Sequence, residues 1–141
     1  MPSDAIAIAA IDGSYNHKSG CAGYGVVFGY DGLRIERNGT VIITSNELGS
    51  ATGELYAALV AARMAFEFKC TDLIIMYDFE GIRQYATGES KPKNEFLVNY
   101  ASEMSMLMKQ INISFWHTKT HSGKESHNRA DRLAKQGCGL K

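Results

Sequence analysis

Residues 5–11, Ala-Ile-Ala-Ile-Ala-Ala-Ile, form a near-continuous apolar run. So short a run without alternation fits a strand covered on both faces, as at the centre of a layered α/β sheet. It stops at Asp12-Gly13-Ser14, a turn-forming triplet that predicts Asp12 as the last residue of the first strand. Tyr24 to Tyr30 reads as a second strand, Asp31-Gly32 as a hairpin signal, and residues 33–43 as the returning third strand.

A helix is expected next. Leu55, Leu59, Ala62 and Phe66 recur at helical spacing, which predicts a buried face, with Glu54 beside it in the first turn. Leu73–Tyr77 is a short apolar strand ending at Asp78. A short helix with Ile82 and Tyr85 follows, then a polar connector over residues 87–94 carrying Gly and Pro breakers. Phe96, Tyr100, Met104 and Leu107 mark another amphipathic helix, whose Met104, Met106 and Met108 read as packing residues. Ile111, Ile113 and Phe115 alternate with Asn112, Ser114 and Trp116, the pattern of a half-exposed strand. A last helix is expected over about 128–136, with Ala130, Leu133 and Ala134 inward and Gly137 as its stop. The order is βββαβα(α)βα, in one domain spanning 1–141.

The 141 residues are 45% apolar and 21% charged, which is ordinary for a soluble globular chain. No apolar stretch is long enough to span a bilayer and no targeting segment is evident, so a cytoplasmic setting and no membrane partner are expected. Cys21, Cys70 and Cys138 are odd in number and far apart, which argues against a disulfide framework or a zinc site. Net charge is zero but uneven. Residues 109–141 hold 7 basic side chains and only 2 acidic ones, a distribution that suits a polyanion and equally a solvated tail.

Four acids stand out: Asp12, Glu54, Asp78 and Asp131. Each lies at the end of an expected strand or near the start of an expected helix, where α/β sheets gather ligands. After two reversals the third strand runs in the direction of the first. A right-handed helical crossover then returns the fourth strand parallel to it, so Asp12 and Asp78 should emerge from one edge. Taken singly, each acid reads as structural: an Asp in a Gly-Ser turn, a Glu facing a helix dipole. Gathered together they would repel one another unless cations lay between them. Oxygen ligands without a His/Cys cluster point to Mg²⁺, with Mn²⁺ as a substitute. Two such ions suit phosphodiester cleavage.

The chain also carries, in order, Ile11-Asp12-Gly13-Ser14-Tyr15, Gly23-Tyr24-Gly25-Val26-Val27, and Ala51-Thr52-Gly53-Glu54-Leu55-Tyr56-Ala57. Ile75-Met76-Tyr77-Asp78, Thr120-His121-Ser122-Gly123 and Asn128-Arg129-Ala130-Asp131-Arg132-Leu133-Ala134-Lys135 follow. In these motifs, over nearly its whole length, it resembles the ribonuclease H family. The resemblance implies a ribonuclease H-like α/β fold with a five-stranded mixed sheet flanked by helices. It places the family's metal-binding carboxylates on Asp12, Glu54, Asp78 and Asp131, and its auxiliary catalytic histidine on His121.

There are departures. Residues 79–110 hold four basic residues (Arg83, Lys91, Lys93, Lys109) and no Trp, so the basic protrusion of many members is absent, as in shorter bacterial, phage and viral forms. His127 stands where Asn is usual, and Ser50-Ala51 replaces an Asn pair that contacts substrate in some members. His17, His117 and His127 are read as structural. Tyr15 and Asn16 read either as contacts to RNA 2′-hydroxyls or as turn residues. Ser14, Lys119 and Lys124 complete the candidate substrate contacts.

The resulting expectation is a metal-dependent endonuclease that cleaves the RNA strand of RNA–DNA hybrids, leaving 3′-hydroxyl and 5′-phosphate ends. It would act as a monomer without an obligate protein partner. The alternatives are a non-catalytic hybrid- or duplex-binding module of the same fold, and a related nuclease acting on DNA.

Overall fold

A computed structural model describes residues 5–41, 49–118 and 125–140. The elements are β1 (Ile6–Asn16), β2 (Cys21–Tyr30), β3 (Leu33–Val41), α1 (Ser50–Glu67) and β4 (Asp72–Tyr77). They continue with α2 (Gly81–Thr87), α3 (Glu95–Met108), β5 (Asn112–His117) and α4 (Glu125–Gly137). The five strands form one mixed sheet in the order β3-β2-β1-β4-β5, with β1–β2 and β2–β3 antiparallel and β1–β4 and β4–β5 parallel.

The hairpin signal holds. Asp31 and Gly32 both adopt positive φ, 51° and 76°, the backbone a two-residue turn between right-twisted strands requires. The first strand is longer than its sequence suggested. Asp12-Gly13-Ser14 is not a turn: β1 continues to Asn16 because β2 stays paired with it as far as Asn16–Cys21. Local turn propensity loses here to four further residues of strand pairing. On its other side β1 pairs with β4 only as far as Ala10–Met76. The sheet therefore forks just beyond that pair, and the register carries Asp12 opposite Asp78.

One face of the sheet is covered by α1, α2 and α3. Ala7, Ala9, Ile11, Phe28, Leu73, Ile75 and Tyr77 meet Leu55, Leu59, Ala62, Tyr100 and Met104 in the main core. Tyr100 is buried, and its hydroxyl donates to the Ile82 carbonyl (2.7 Å), tying α3 to α2. Asn94 caps α3 by accepting from Leu97 N–H at 2.9 Å. Met104 lies in the core, whereas Met106 faces out. Phe66, expected on the buried face of α1, is 52% exposed, because the last turn opens onto a groove shared with Cys70, Met108 and Ile111.

The other face is covered by α4, which starts at Glu125 rather than near 128. Ala130 and Leu133 pack on Ala10 and Val27, and Ala134 is also buried. Polar bonds pull α4 toward β3. Arg129 meets Glu36 (2.9 Å), Arg34 meets Glu125, and Asn38 Nδ2 donates to the Leu133 carbonyl (3.0 Å). Arg129 thus serves the fold rather than standing free on the basic C-terminal end. Because α4 sits over β1–β3, Ile6 and Ile8 are exposed, so β1 is covered on both faces only in its second half. The helix stops at Gly137, its last residue, where a Cβ would overlap the Gly39 carbonyl.

Glycines set how close both helices come to the β1–β2 ribbon. A Cβ on Gly13 would overlap the backbone of Ser50 and Glu54 in α1, and one on Gly53 would overlap the Gly23 carbonyl. On the opposite face, Cβ atoms on Gly23 and Gly25 would overlap the carbonyls of Ala134 and Ala130. Backbone rests on backbone, which no rotamer change can relieve. Gly53→Ala should therefore cost at least about 1–3 kcal/mol by overpacking. Urea unfolding of the variant measures this, and a stability equal to the unmodified chain would show that α1 does not rest on the ribbon.

Candidate active site

The fork in the sheet is where the acids meet. Asp12 alternates with Gly13 along β1. Gly13 faces α1, so Asp12 sits on the side of Ala10, which packs under α4. Glu54 comes down from α1 on one face and Asp131 from α4 on the other, while Asp78 follows the last residue of β4. Asp131 lies within hydrogen-bonding reach of Asp12, and Glu54 is close enough to act on Asp12 electrostatically. Glu54 and Asp78 repel each other in the same way.

Glu54 is not in the first helical turn. Helix α1 begins at Ser50, so Glu54 falls in the second turn and is 5% exposed. Its Oε2 accepts two backbone hydrogen bonds, from Asp78 N–H (2.7 Å) and Phe79 N–H (3.1 Å). The carboxylate therefore satisfies the chain where it leaves β4, and so holds the segment that bears Asp78. Burial pushes the Glu54 carboxyl up to about 7; the two amide bonds oppose this and the nearby Asp78 adds to it. Burial likewise raises Asp12 to about 7, opposed by the Gly13 N–H (2.8 Å) and reinforced by Glu54 and Asp131.

The end of β5 closes the site from below. Thr118 donates to the Tyr77 carbonyl through its backbone N–H (2.7 Å) and its hydroxyl (3.1 Å). His127, buried in the first turn of α4, meets the same hydroxyl through Nε2 at 3.3 Å. Because that hydroxyl donates to Tyr77, it accepts from His127. The histidine that replaces the usual Asn thus ties α4 to the strand beside Asp78. His117 Nε2 lies 2.8 Å from the Asp78 carbonyl. No local pattern marks Thr118 or His117, since the Tyr77 and Asp78 carbonyls they meet lie 41 and 39 residues away.

The substrate candidates fare unevenly. Ser14 is buried in β1 opposite Gly23. Tyr15 is half-buried, its ring set edge-on to His17 at 4.8 Å. Asn16 behaves as a turn residue. Its Oδ1 accepts from the Lys18 (3.0 Å) and Ser19 (3.3 Å) N–H groups, and its Nδ2 donates to the Cys138 carbonyl (2.9 Å). Lys119, His121 and Lys124 lie outside the described residues.

The donor set is all oxygen, and burial with mutual repulsion leaves it short of positive charge, which a hard divalent cation would supply. Lys135 Nζ, 3.1 Å from Asp131 Oδ2, provides part of it. Among the described residues, no three His, Cys, Asp or Glu side chains are already grouped to hold an ion. Glu54 is turned to backbone amides and Asp131 toward Lys135, so both would reorient to take one up.

The raised carboxyls make a pH prediction for the metal-free protein. Folding favours the protonated forms of Asp12 and Glu54, so their contribution is full below about pH 4 and is lost as pH rises through about 7. Asp12→Asn, which mimics the protonated acid, should match the unmodified chain near pH 4 and exceed it in Tm by several degrees at pH 8. Thermal unfolding in chelator from pH 4 to 9 reads the difference, and a Tm gap that does not change with pH would refute the raised Asp12 carboxyl. Mg²⁺ at pH 8 should close it.

The profile of the RNase H family matches residues 5–139. No curated protein sequence matches the chain. Among solved structures, RNase H1 from the halophilic archaeon Halobacterium salinarum superposes with a TM-score of 0.75 at 21% identity, over 94% of this chain and 96% of that one. The N-terminal RNase H domain of a Mycobacterium tuberculosis protein gives 0.75 at 17%, over 96% and 94%. LC11-RNase H1 in complex with RNA/DNA hybrid gives 0.73 at 21%, over 94% and 96%. At these identities the structures speak for the fold, and the profile match across almost the whole sequence speaks for descent: the chain belongs to the RNase H family.

Proposed function

We propose that this chain is a metal-dependent endonuclease that hydrolyses the RNA strand of RNA–DNA hybrids. The observation that carries the reading is the convergence of Asp12, Glu54, Asp78 and Asp131 from four separate elements at the sheet fork. A buried Glu54 and a half-buried Asp12, both raised to about 7 beside two further acids, support a functional site. The family supports a nuclease of hybrids, and LC11-RNase H1, of the same fold, binds an RNA/DNA hybrid. We read the chain as one domain acting as a monomer in a reducing cytoplasmic setting, which its three free cysteines suit.

In this reading Asp12, Glu54, Asp78 and Asp131 would hold two Mg²⁺ ions, with Mn²⁺ as a substitute. The ions would supply an activated water and charge stabilisation at the scissile phosphate. The protein's own groups do the rest. Glu54 fixes the Asp78 backbone, and the fork sets the spacing between Asp12 and Asp78. His121 assists proton transfer. Water adds to phosphorus and the bond to the 3′ oxygen breaks. That oxygen leaves as a 3′-hydroxyl, and the phosphate stays on the 5′ end of the next nucleotide. Lys119 and Lys124 contact phosphates, positioning the duplex without reading its bases. Tyr15 and Ser14, on β1 beyond Asp12, would contact the RNA strand, the buried Ser14 through its edge of β1, and Asn16 shapes the hairpin that follows them.

Matched hybrid, duplex DNA and duplex RNA, each with Mg²⁺ and with chelator, test the proposal. Hybrid alone should be cut, and only with metal. Asp78→Asn should abolish cleavage by orders of magnitude while leaving the fold intact. His121→Ala should slow it by about 10²–10⁴-fold, the usual contribution of a positioned acid–base group, and stay metal-dependent. Cleavage in excess chelator, or near-normal turnover by Asp78→Asn, would sink the two-metal reading. Preferential cutting of duplex DNA would move the chain to a different nuclease activity.

A further inference from the structure

We infer that His117 is a positioning residue for Asp78, acting through the Asp78 backbone; the inference rests on the proposed metal site. Asp78 lies past the end of β4, where strand pairing no longer holds it. Two side chains replace that pairing. Glu54 Oε2 accepts from the Asp78 N–H at 2.7 Å, and His117 Nε2 meets the Asp78 carbonyl at 2.8 Å. A carbonyl oxygen can only accept, so Nε2 carries the proton and donates. With both backbone groups of Asp78 engaged, its peptide planes, and with them the direction of its Cα–Cβ bond, are held from either side.

The ring of His117 is itself held. It lies 5.4 Å from the Tyr77 ring at 47°, and Nδ1 lies 3.3 Å from Glu80 Oε1. The next residue, Thr118, bonds to the Tyr77 carbonyl, so the ends of β4 and β5 are joined at two successive positions. His117 is exposed at the end of β5, and its bond to the Asp78 carbonyl is the contact that gives it a role at the site. Groups that orient a metal ligand in this way change metal affinity or activity by about 10–100-fold when lost.

Two substitutions separate the donor from the ring. His117→Phe keeps an aromatic ring against Tyr77 and deletes the donor. His117→Gln keeps an N–H donor and deletes the ring. Mg²⁺ alone is titrated calorimetrically into each variant of the whole chain, without nucleic acid, beside thermal unfolding in chelator. His117→Phe should bind Mg²⁺ roughly tenfold more weakly, with faster amide exchange at Asp78 and Phe79, while His117→Gln should stay within about twofold. Both should unfold within a few degrees of the unmodified chain. The reverse order, equal affinity in both variants, or equal loss in both overturns the inference, as does a collapse of the metal-free Tm in both. Asp78→Asn in the same titration distinguishes the two levels. If it binds Mg²⁺ normally, the metal site itself is wrong and the inference falls with it. If it loses binding while His117→Phe does not, only the role of His117 fails.

Discussion

Backbone rests directly on backbone on both sides of the β1–β2 ribbon. Helix α1 presses on Gly13 and Gly23 through Ser50, Gly53 and Glu54, and α4 presses on Gly23 and Gly25 through Ala130 and Ala134. A Cβ at these places would meet backbone atoms at 1.9–2.2 Å, so it would push outward the helices that carry Glu54 and Asp131. The close approach also explains why α1 is so rich in alanine: it is buried on several sides, between the sheet and α3, and small residues let both neighbours come near.

Close packing at the fork makes burial and charge inseparable. Glu54 enters a dry environment, and its amide bonds to Asp78 and Phe79 only partly offset the loss of water. The same carboxylate orders the turn that carries Asp78, so one side chain both belongs to the acidic cluster and shapes it. On the far side, His127 and Thr118 join α4 to the end of β5, so the elements bearing Asp131 and Asp78 are linked through a chain of polar contacts. A cluster of like charges is tolerable only where surrounding backbone dipoles and a nearby cation share the load. Lys135 beside Asp131 is the one such cation paired to the acids among the described residues.

The basic C-terminal end divides between two tasks. Arg129 locks α4 to β3 through Glu36, and Lys135 meets Asp131. What remains for a polyanion is smaller than a charge count suggests. Charge in a sequence gives the sum, whereas intramolecular pairing decides how much of it faces solvent.

Much of the architecture was legible in the residues alone. The apolar run of β1, the Asp31-Gly32 turn, the alternation in β5 and the helical spacings of α1, α3 and α4 are local patterns that each element's geometry imposes. The four acids could be singled out because each lies at the end of an expected strand or near the start of an expected helix, although in the folded chain only Asp78 directly follows an element end. The resemblance to the RNase H family, a membership the family profile bears out, then grouped them. Tertiary structure decided the rest. It extended β1 through a triplet that locally favours a turn, because β2 offered hydrogen-bonding partners as far as Asn16. It exposed Phe66, Ile6 and Ile8, because burial depends on where a covering helix ends and not on the apolar pattern beneath it. It turned Glu54 to the amides of Asp78 and Phe79, and His117 to the Asp78 carbonyl. Those bonds join side chains to backbone atoms, which are the same in every residue, so only the folded register could choose them.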